Sequence, residues 1–262
     1  MMKETVHAAN GRKALVVTMN SNKVNAINPA MLDDFEKALS HLERQPLPVV
    51  LTGEPGNSVM CAGLDLVALF GVERSRSRAL VFDVLSRLGV CVERLYSLPR
   101  PTVAALSGHA LAGGAVVANS CDFRVGVAGS RAGFGAIEVP VGVPFPAWAF
   151  VTTFNATPTT QRADALLYGK RYSHDEALRV GILSDAAADA ASLVEKAVER
   201  ATVLPEGSSR AFAMVKELMV EQAVQYCREK GPRIMDKVME TLYSDEGWNH
   251  IQGTISNMQK KK

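Results

Sequence analysis

Apolar positions along the chain follow two rhythms, and each predicts its own kind of element. Near the start, "VHAANGRKALVVTM" places Asn10-Gly11 between two strand-like runs, which predicts a tight hairpin turn. Met31, Leu32, Phe35, Leu39 and Leu42 then recur at helical spacing behind Asn28, a capping residue type, and Pro29, which suits a first helical position. Pro46 and Pro48 end that helix. Short unbroken apolar runs at 49–53 ("VVLTG"), 102–106 ("TVAAL") and 122–128 ("DFRVGVA") predict buried strands. A long helix is predicted over 76–96, closed by Pro99 and Pro101. "SHDE" at 173–176 is a capping box that opens another helix, Gly181 closes it, and "ILSD" at 182–185 predicts a last short strand. From about residue 192 the pattern is helical to near the end, interrupted by "LPEGSS" at 204–209.

Strand, turn, helix and strand in succession make a right-handed crossover unit, with ligands expected beyond the carboxyl ends of the strands. The length of 262 residues suits one large domain or one domain with a small appendage, and there is no internal repeat or low-complexity tract. A net charge of +2 gives no concentrated basic face for nucleic acid or an anionic membrane; the one charge run is Lys260-Lys261-Lys262. The four cysteines form no C-x-x-C pair and the five histidines no metal-binding spacing, so no metal site is expected. No segment approaches the roughly 18 apolar residues of a membrane span. "MMKETVHAANGRK" lacks the apolar core of a secretory signal, and a cytoplasmic, reduced protein is the expectation.

The stretch "SGHALAGGAVVANSCDF" at 107–123 carries the first sign of chemistry. Gly108, Gly113 and Gly114 allow close approach of another molecule, and the helix that follows starts with outward-pointing N–H groups. That combination suits an anion. The turn has no Gly-Lys-Ser/Thr for a phosphate loop and no G-x-G-x-x-G for a dinucleotide. A second turn, "CAGLDL" at 61–66, also follows a buried strand.

Together the two turns resemble those of the enoyl-coenzyme A hydratase/isomerase, or crotonase, family. Similar features flank them in family order: "NKVNAIN" (22–28), "VVLTG", "RPTVAAL", "CDFRV" and "FGAIEVPVGVP" (134–144). The resemblance implies an α/β fold, a right-handed spiral of ββα turns over about residues 1–200. It also implies a C-terminal helical region, 201–262, that packs on neighbours in a homotrimer or a dimer of trimers. The substrate it implies is an acyl-coenzyme A thioester, and no separate cofactor is expected, because coenzyme A is part of the substrate. The anion would be an enolate oxygen held by the backbone N–H groups of Leu64 and Gly113. Fixed amides in a water-poor site stabilise such charge in the transition state over the ground state.

In the hydratases resembled here two glutamates flank one water. The first position falls on Val116 and the second on Glu138. Losing one acid–base partner costs roughly 10²–10⁴ in rate, which points to a 3-to-2 enoyl isomerase in which Glu138 alone shuttles the proton. An atypical or slow hydratase and a non-catalytic acyl-coenzyme A-binding subunit stay open. Ile137, Val139 and Pro140 form an apolar flank that would raise the pKa of Glu138. Substrate contacts implied by the resemblance are Ala26, Ala62 and Leu66 through main-chain groups, Lys23 to a phosphate, and Asp65 and Val116 beside the turns. Asp65 reads better as a helix brace, His109 as a packed or hydrogen-bonded residue beside its turn, and Cys61 as a small buried hydrophobe. Ser107 and His109 form no nucleophile pair. Phe145 and Trp148 in "GVPFPAWAF" stand where many members carry a glycine pair, and are expected to narrow or redirect the acyl tunnel.

Overall fold

The computed structural model describes residues 2–205 and 207–260. The chain starts with the hairpin β1 (Lys3–Ala9) and β2 (Arg12–Met19), whose Asn10 and Gly11 take φ of 52° and 76°. Two successive positive φ angles are what a two-residue turn between right-twisted strands requires. There follow α1 (Pro29–Leu42), β3 (Val49–Gly53), β4 (Val59–Cys61), α2 (Leu66–Phe70), α3 (Arg74–Tyr96), β5 (Thr102–Ala105), β6 (His109–Leu111) and α4 (Gly113–Asn119). The remainder is β7 (Phe123–Val127), β8 (Gly133–Gly135), α5 (Ala147–Ala156), β9 (Tyr172–Ser173), α6 (His174–Arg179), β10 (Asp185–Ala187), α7 (Leu193–Ala201), α8 (Ser209–Leu242) and α9 (Asp245–Lys260).

The strands divide between two sheets. One has the order β1-β2-β3-β5-β7-β10 and is parallel from β2 onward; the other has the order β4-β6-β8-β9. Each circuit of the chain thus adds one strand to each sheet and then a helix: β3, β4 and α2–α3, then β5, β6 and α4, then β7, β8 and α5. This is the spiral of ββα turns that the motifs imply. The strands of the larger sheet read as unbroken apolar runs because both of its faces are covered. Leu15, Val17, Val49, Leu51 and Ala104 join the main core, while Val16, Val50, Val103 and Val125 pack with Leu193, Ala197, Val198 and Ala201 of α7.

Most of the expected elements form as the residue pattern predicts. Asn28 caps α1, its Oδ1 accepting from Met31 N–H at 3.1 Å, and the Ser173–Glu176 capping box is closed in both directions. Two expectations change. The strand predicted at 182–185 forms three residues later, at Asp185–Ala187, because Gly181 turns at φ 81° and the N–H groups of Ile182 and Leu183 both donate to Ala177 O. Ile182 and Leu183 are apolar because they enter the core from that turn. The residues after "TVAAL" are not all turn: His109–Leu111 is a strand of the second sheet. Among the described residues, no helix is long and apolar enough to cross a membrane.

A part-buried ion pair ties the C-terminal helices to the spiral. Asp122 Oδ2 accepts from Thr102 N at 2.8 Å, Thr102 Oγ1 at 2.9 Å and Lys216 Nζ at 3.0 Å, joining the starts of β5 and β7 to α8. Lys216 is 5% exposed, and desolvation holds its pKa below the usual lysine range. Removing one partner of such a pair leaves the other as an uncompensated buried charge. Asp122→Ala is therefore expected to lower the unfolding free energy by about 3–5 kcal/mol, measured by urea titration.

Candidate active site

Residues 22–28 and 61–66 run side by side, pinned by two asparagines. Asn25 is fully buried at φ 47°; its Nδ2 donates to Met19 O at 3.0 Å and Met60 O at 2.9 Å, and its Oδ1 accepts from Ser21 N–H. Asn22 Oδ1 accepts from the N–H groups of Val24 and Ala26, and its Nδ2 donates to Ala26 O. The two segments then exchange backbone bonds: Ala62 N to Val24 O, Ile27 N to Gly63 O at 2.7 Å, and Asp65 N to Ile27 O at 2.9 Å. The bridge between Ile27 and Leu64 is made by the peptide units on either side of Leu64. Its own N–H takes no part.

The second loop reaches the same place from the end of β6. Ala112 N–H donates to Gly135 O at 2.9 Å, and Ala112 takes φ 49° and ψ −127°, a conformation an L-residue seldom adopts and one that costs of order 1–3 kcal/mol. That turn aims Gly113, the first residue of α4, at the first loop. A Cβ added to Gly63 would lie 2.8 Å from Ala112 Cβ and 3.0 Å from Gly113 N, and one added to Gly114 would lie 2.3 Å from Cys61 O. A Cβ on Gly113 would sit 3.8 Å from Leu64 N. Glycine is needed here because the two loops touch through their backbones. Among the described residues, neither the Leu64 N–H nor the Gly113 N–H donates to a protein acceptor. A pair of adjacent free amides, one at a helix start, is suited to negative charge.

Glu138 follows three residues after β8, the strand whose Gly135 carbonyl holds Ala112. It is 6% exposed, and its Oε2 is buried without a hydrogen-bond partner. Desolvation pushes its pKa up to about 8, against a smaller lowering by its own backbone N–H. Its carbonyl accepts from Val141 N–H at 3.1 Å and Val143 N–H at 2.9 Å, and Gly142 at φ 80° completes the turn. A carboxyl with this environment exchanges a proton near neutral pH.

The other sequence-predicted residues separate into groups. Ala26, Ala62 and Leu66 belong to the paired segments, Ala62 being exposed and Leu66 half-buried. Lys23 is exposed, has no carboxylate within ion-pair distance among the described residues, and its carbonyl accepts from Asn57 Nδ2. Asp65 caps α2: its Oδ1 accepts from Ala68 N–H at 3.0 Å and its Oδ2 from Asn28 Nδ2 at 3.4 Å. Val116 is fully buried in α4. Cys61 donates from Sγ to Asn25 O at 3.0 Å, and burial raises its pKa to about 11, so the thiol is not a nucleophile at neutral pH. His109 Nδ1 accepts from Gly133 N–H at 2.6 Å. Trp148 packs against α3, where a Cβ on Gly89 would lie 2.7 Å from its ring. Sequence reasoning missed the roles of Asn22 and Asn25; the visible signal was polar asparagine in a segment flanked by apolar residues.

Comparison with known proteins agrees with this architecture. The family model described as enoyl-CoA hydratase/isomerase matches residues 10–256. A putative enoyl-CoA hydratase of Thermus thermophilus is 31% identical over 217 residues, covering 82% of this chain and 83% of the relative. The peroxisomal enoyl-CoA delta isomerase 1 of Arabidopsis thaliana is 25% identical over 219 residues, covering 81% and 88%. The crystal structure of human mitochondrial delta3-delta2-enoyl-CoA isomerase superposes with a TM-score of 0.84 at 23% identity over 99% of both chains, a likeness of fold. With two glycine-lined loops meeting as described and a match over nearly the whole length, the chain belongs to the enoyl-CoA hydratase/isomerase, or crotonase, family.

Proposed function

We propose that this protein is an enoyl-coenzyme A isomerase that moves a double bond from the 3 to the 2 position of an acyl thioester. The observation that carries this reading is the inventory of acids. Glu138 is the one buried carboxyl among the described residues, while Val116, three residues past Gly113, is a buried aliphatic. The Glu138 carboxylate takes a proton from the α-carbon, the electron pair delocalises onto the thioester oxygen, and the same carboxyl returns the proton at the γ-carbon. The N–H groups of Leu64 and Gly113 hold the oxygen while it is negative. Removing one such donor typically costs about 2.7–4 kcal/mol of transition-state stabilisation. The proton moves within one substrate, so no separate cofactor is required. Coenzyme A is assigned to the paired segments, with the main chain of Ala26, Ala62 and Leu66 beside it and Lys23 toward a phosphate.

The hydratase named among the relatives supplies the second reading, in which a group other than a second glutamate positions water. Offering purified protein both 3-enoyl and 2-enoyl thioesters separates the two. Isomerisation is expected, and Glu138→Gln is expected to lower it by roughly 10²–10⁴. Hydration that survives Glu138→Gln would defeat both enzyme readings, and tight thioester binding without turnover would favour a binding subunit.

Burial of Glu138 also sets a pH dependence. A base must be ionised to act, so kcat/KM should rise with pH until about 8. For stability the sign is opposite. Between the ordinary carboxyl value of 4.5 and about 8, the folded state holds a proton that the unfolded state has lost. Stability therefore falls as pH rises through this window, by at most about 1.4 kcal/mol per pH unit. Thermal melts across pH 5–9 should show a decline in the native protein that Glu138→Gln flattens.

Self-association as a trimer or dimer of trimers is part of the same reading. α8 leaves Val215 and Met219 exposed, and with Phe150 of α5 they flank a groove of about 700 Å³. Sedimentation equilibrium is expected to show trimers or hexamers, and Met219→Asp to shift them toward monomers.

A further inference from the structure

Glu138 has no hydrogen bond to hold its Oε2, so its position depends on the turn that carries it. We propose that α9 is a strap across the two halves of the site, and that His250 on it is a positioning residue for Glu138. This rests on the isomerase reading of the site. His250 Nε2 donates to Pro140 O at 3.3 Å, and its ring lies on Gly142, where an added Cβ would be 2.6 Å from His250 Cδ2. Pro140 also lies close against Gly169, whose added Cβ would be 2.5 Å from Pro140 Cδ. The turn after Glu138 is thus contacted by both His250 and Gly169.

The same helix grips the other loop. Gln252 Nε2 donates to Phe70 O at 2.9 Å, at the far end of α2, the helix that Asp65 caps directly after Leu64. Positions two apart on a helix point to nearly opposite sides, so His250 and Gln252 reach outward in different directions. Ile251 and Ile255, four apart, are buried at 0% and 5% exposure and fix the helix to the core between them. The Phe70 ring, 6.0 Å from those of both Tyr243 and Trp248, anchors the start of the strap. Both polar contacts end on backbone carbonyls, so they fix where the loops sit and leave the side chains of those loops free.

The deciding measurement needs no substrate. The melting-temperature difference between each protein and its Glu138→Gln counterpart, followed across pH, reports the ionisation midpoint of Glu138 in native, His250→Ala and His250→Gln backgrounds. Loosening the turn admits water to the carboxyl, so the midpoint is expected to fall by about one pH unit in His250→Ala. It should return in His250→Gln, whose amide can donate to Pro140 O. With 3-enoyl thioester, His250→Ala should lower kcat about 3- to 10-fold with KM within about twofold, and His250→Gln should restore it. Gln252→Ala is expected to lower kcat without moving the Glu138 midpoint, since it holds the other loop. An unmoved midpoint in His250→Ala, or a loss that glutamine does not restore, overturns the assignment. Absence of isomerase turnover in the native protein overturns the functional reading instead, and leaves the midpoint to judge the strap.

Discussion

Two backbone N–H groups without protein acceptors among the described residues, those of Leu64 and Gly113, lie close together because two loops touch through their main chains. An unpaired amide inside a protein is costly, and the chain meets that cost with several devices that serve no other evident purpose. Gly63 and Gly114 remove the side chains that would hold the loops apart. Ala112 accepts a strained conformation to turn the second loop inward. Asn22 and Asn25 satisfy the polar groups of the first loop internally, so that it lies against its neighbour without recruiting the Leu64 amide.

The acid at the site follows the opposite logic. Glu138 is buried with no cation within ion-pair distance among the described residues, so its proton is held up to about pH 8. A carboxylate paired with lysine or arginine would be easier to bury and a weaker base. The fold does contain a paired example, Asp122 with Lys216, and there the carboxylate has three donors and serves to join elements. A partnered, part-buried acid and an unpartnered, buried one thus stand in opposite environments within a single chain.

Much of this was legible in the residue pattern. α1, β3, α3, β5, β7 and the α6 capping box announce themselves because each is bounded by residues with strong local preferences: Asn28 and Pro29, Pro99 and Pro101, Ser173 and Glu176. The second sheet was illegible. Its strands β4, β6 and β8 are three residues long, too short to show a period, and β8 is mostly glycine. The strand misplaced at 182–185 shows the related limit that an apolar run reports burial before it reports conformation. At the site, the glycine turns and Glu138 could be found from motifs. The pinning by Asn22 and Asn25 and the reach of α9 to both loops depend on contacts between segments distant in sequence, which no local pattern encodes.

The two free amides belong to the peptide backbone, and this has a consequence for how such a chain can diverge. A side-chain donor is erased by one codon change, whereas a main-chain N–H persists through every replacement that keeps the loop's path. Leu64 is therefore free to drift, and what selection must guard is the small set of positions where a Cβ will not fit. A chain can in this way change most of its side chains, acids included, while the two loops go on meeting through the same backbone contacts.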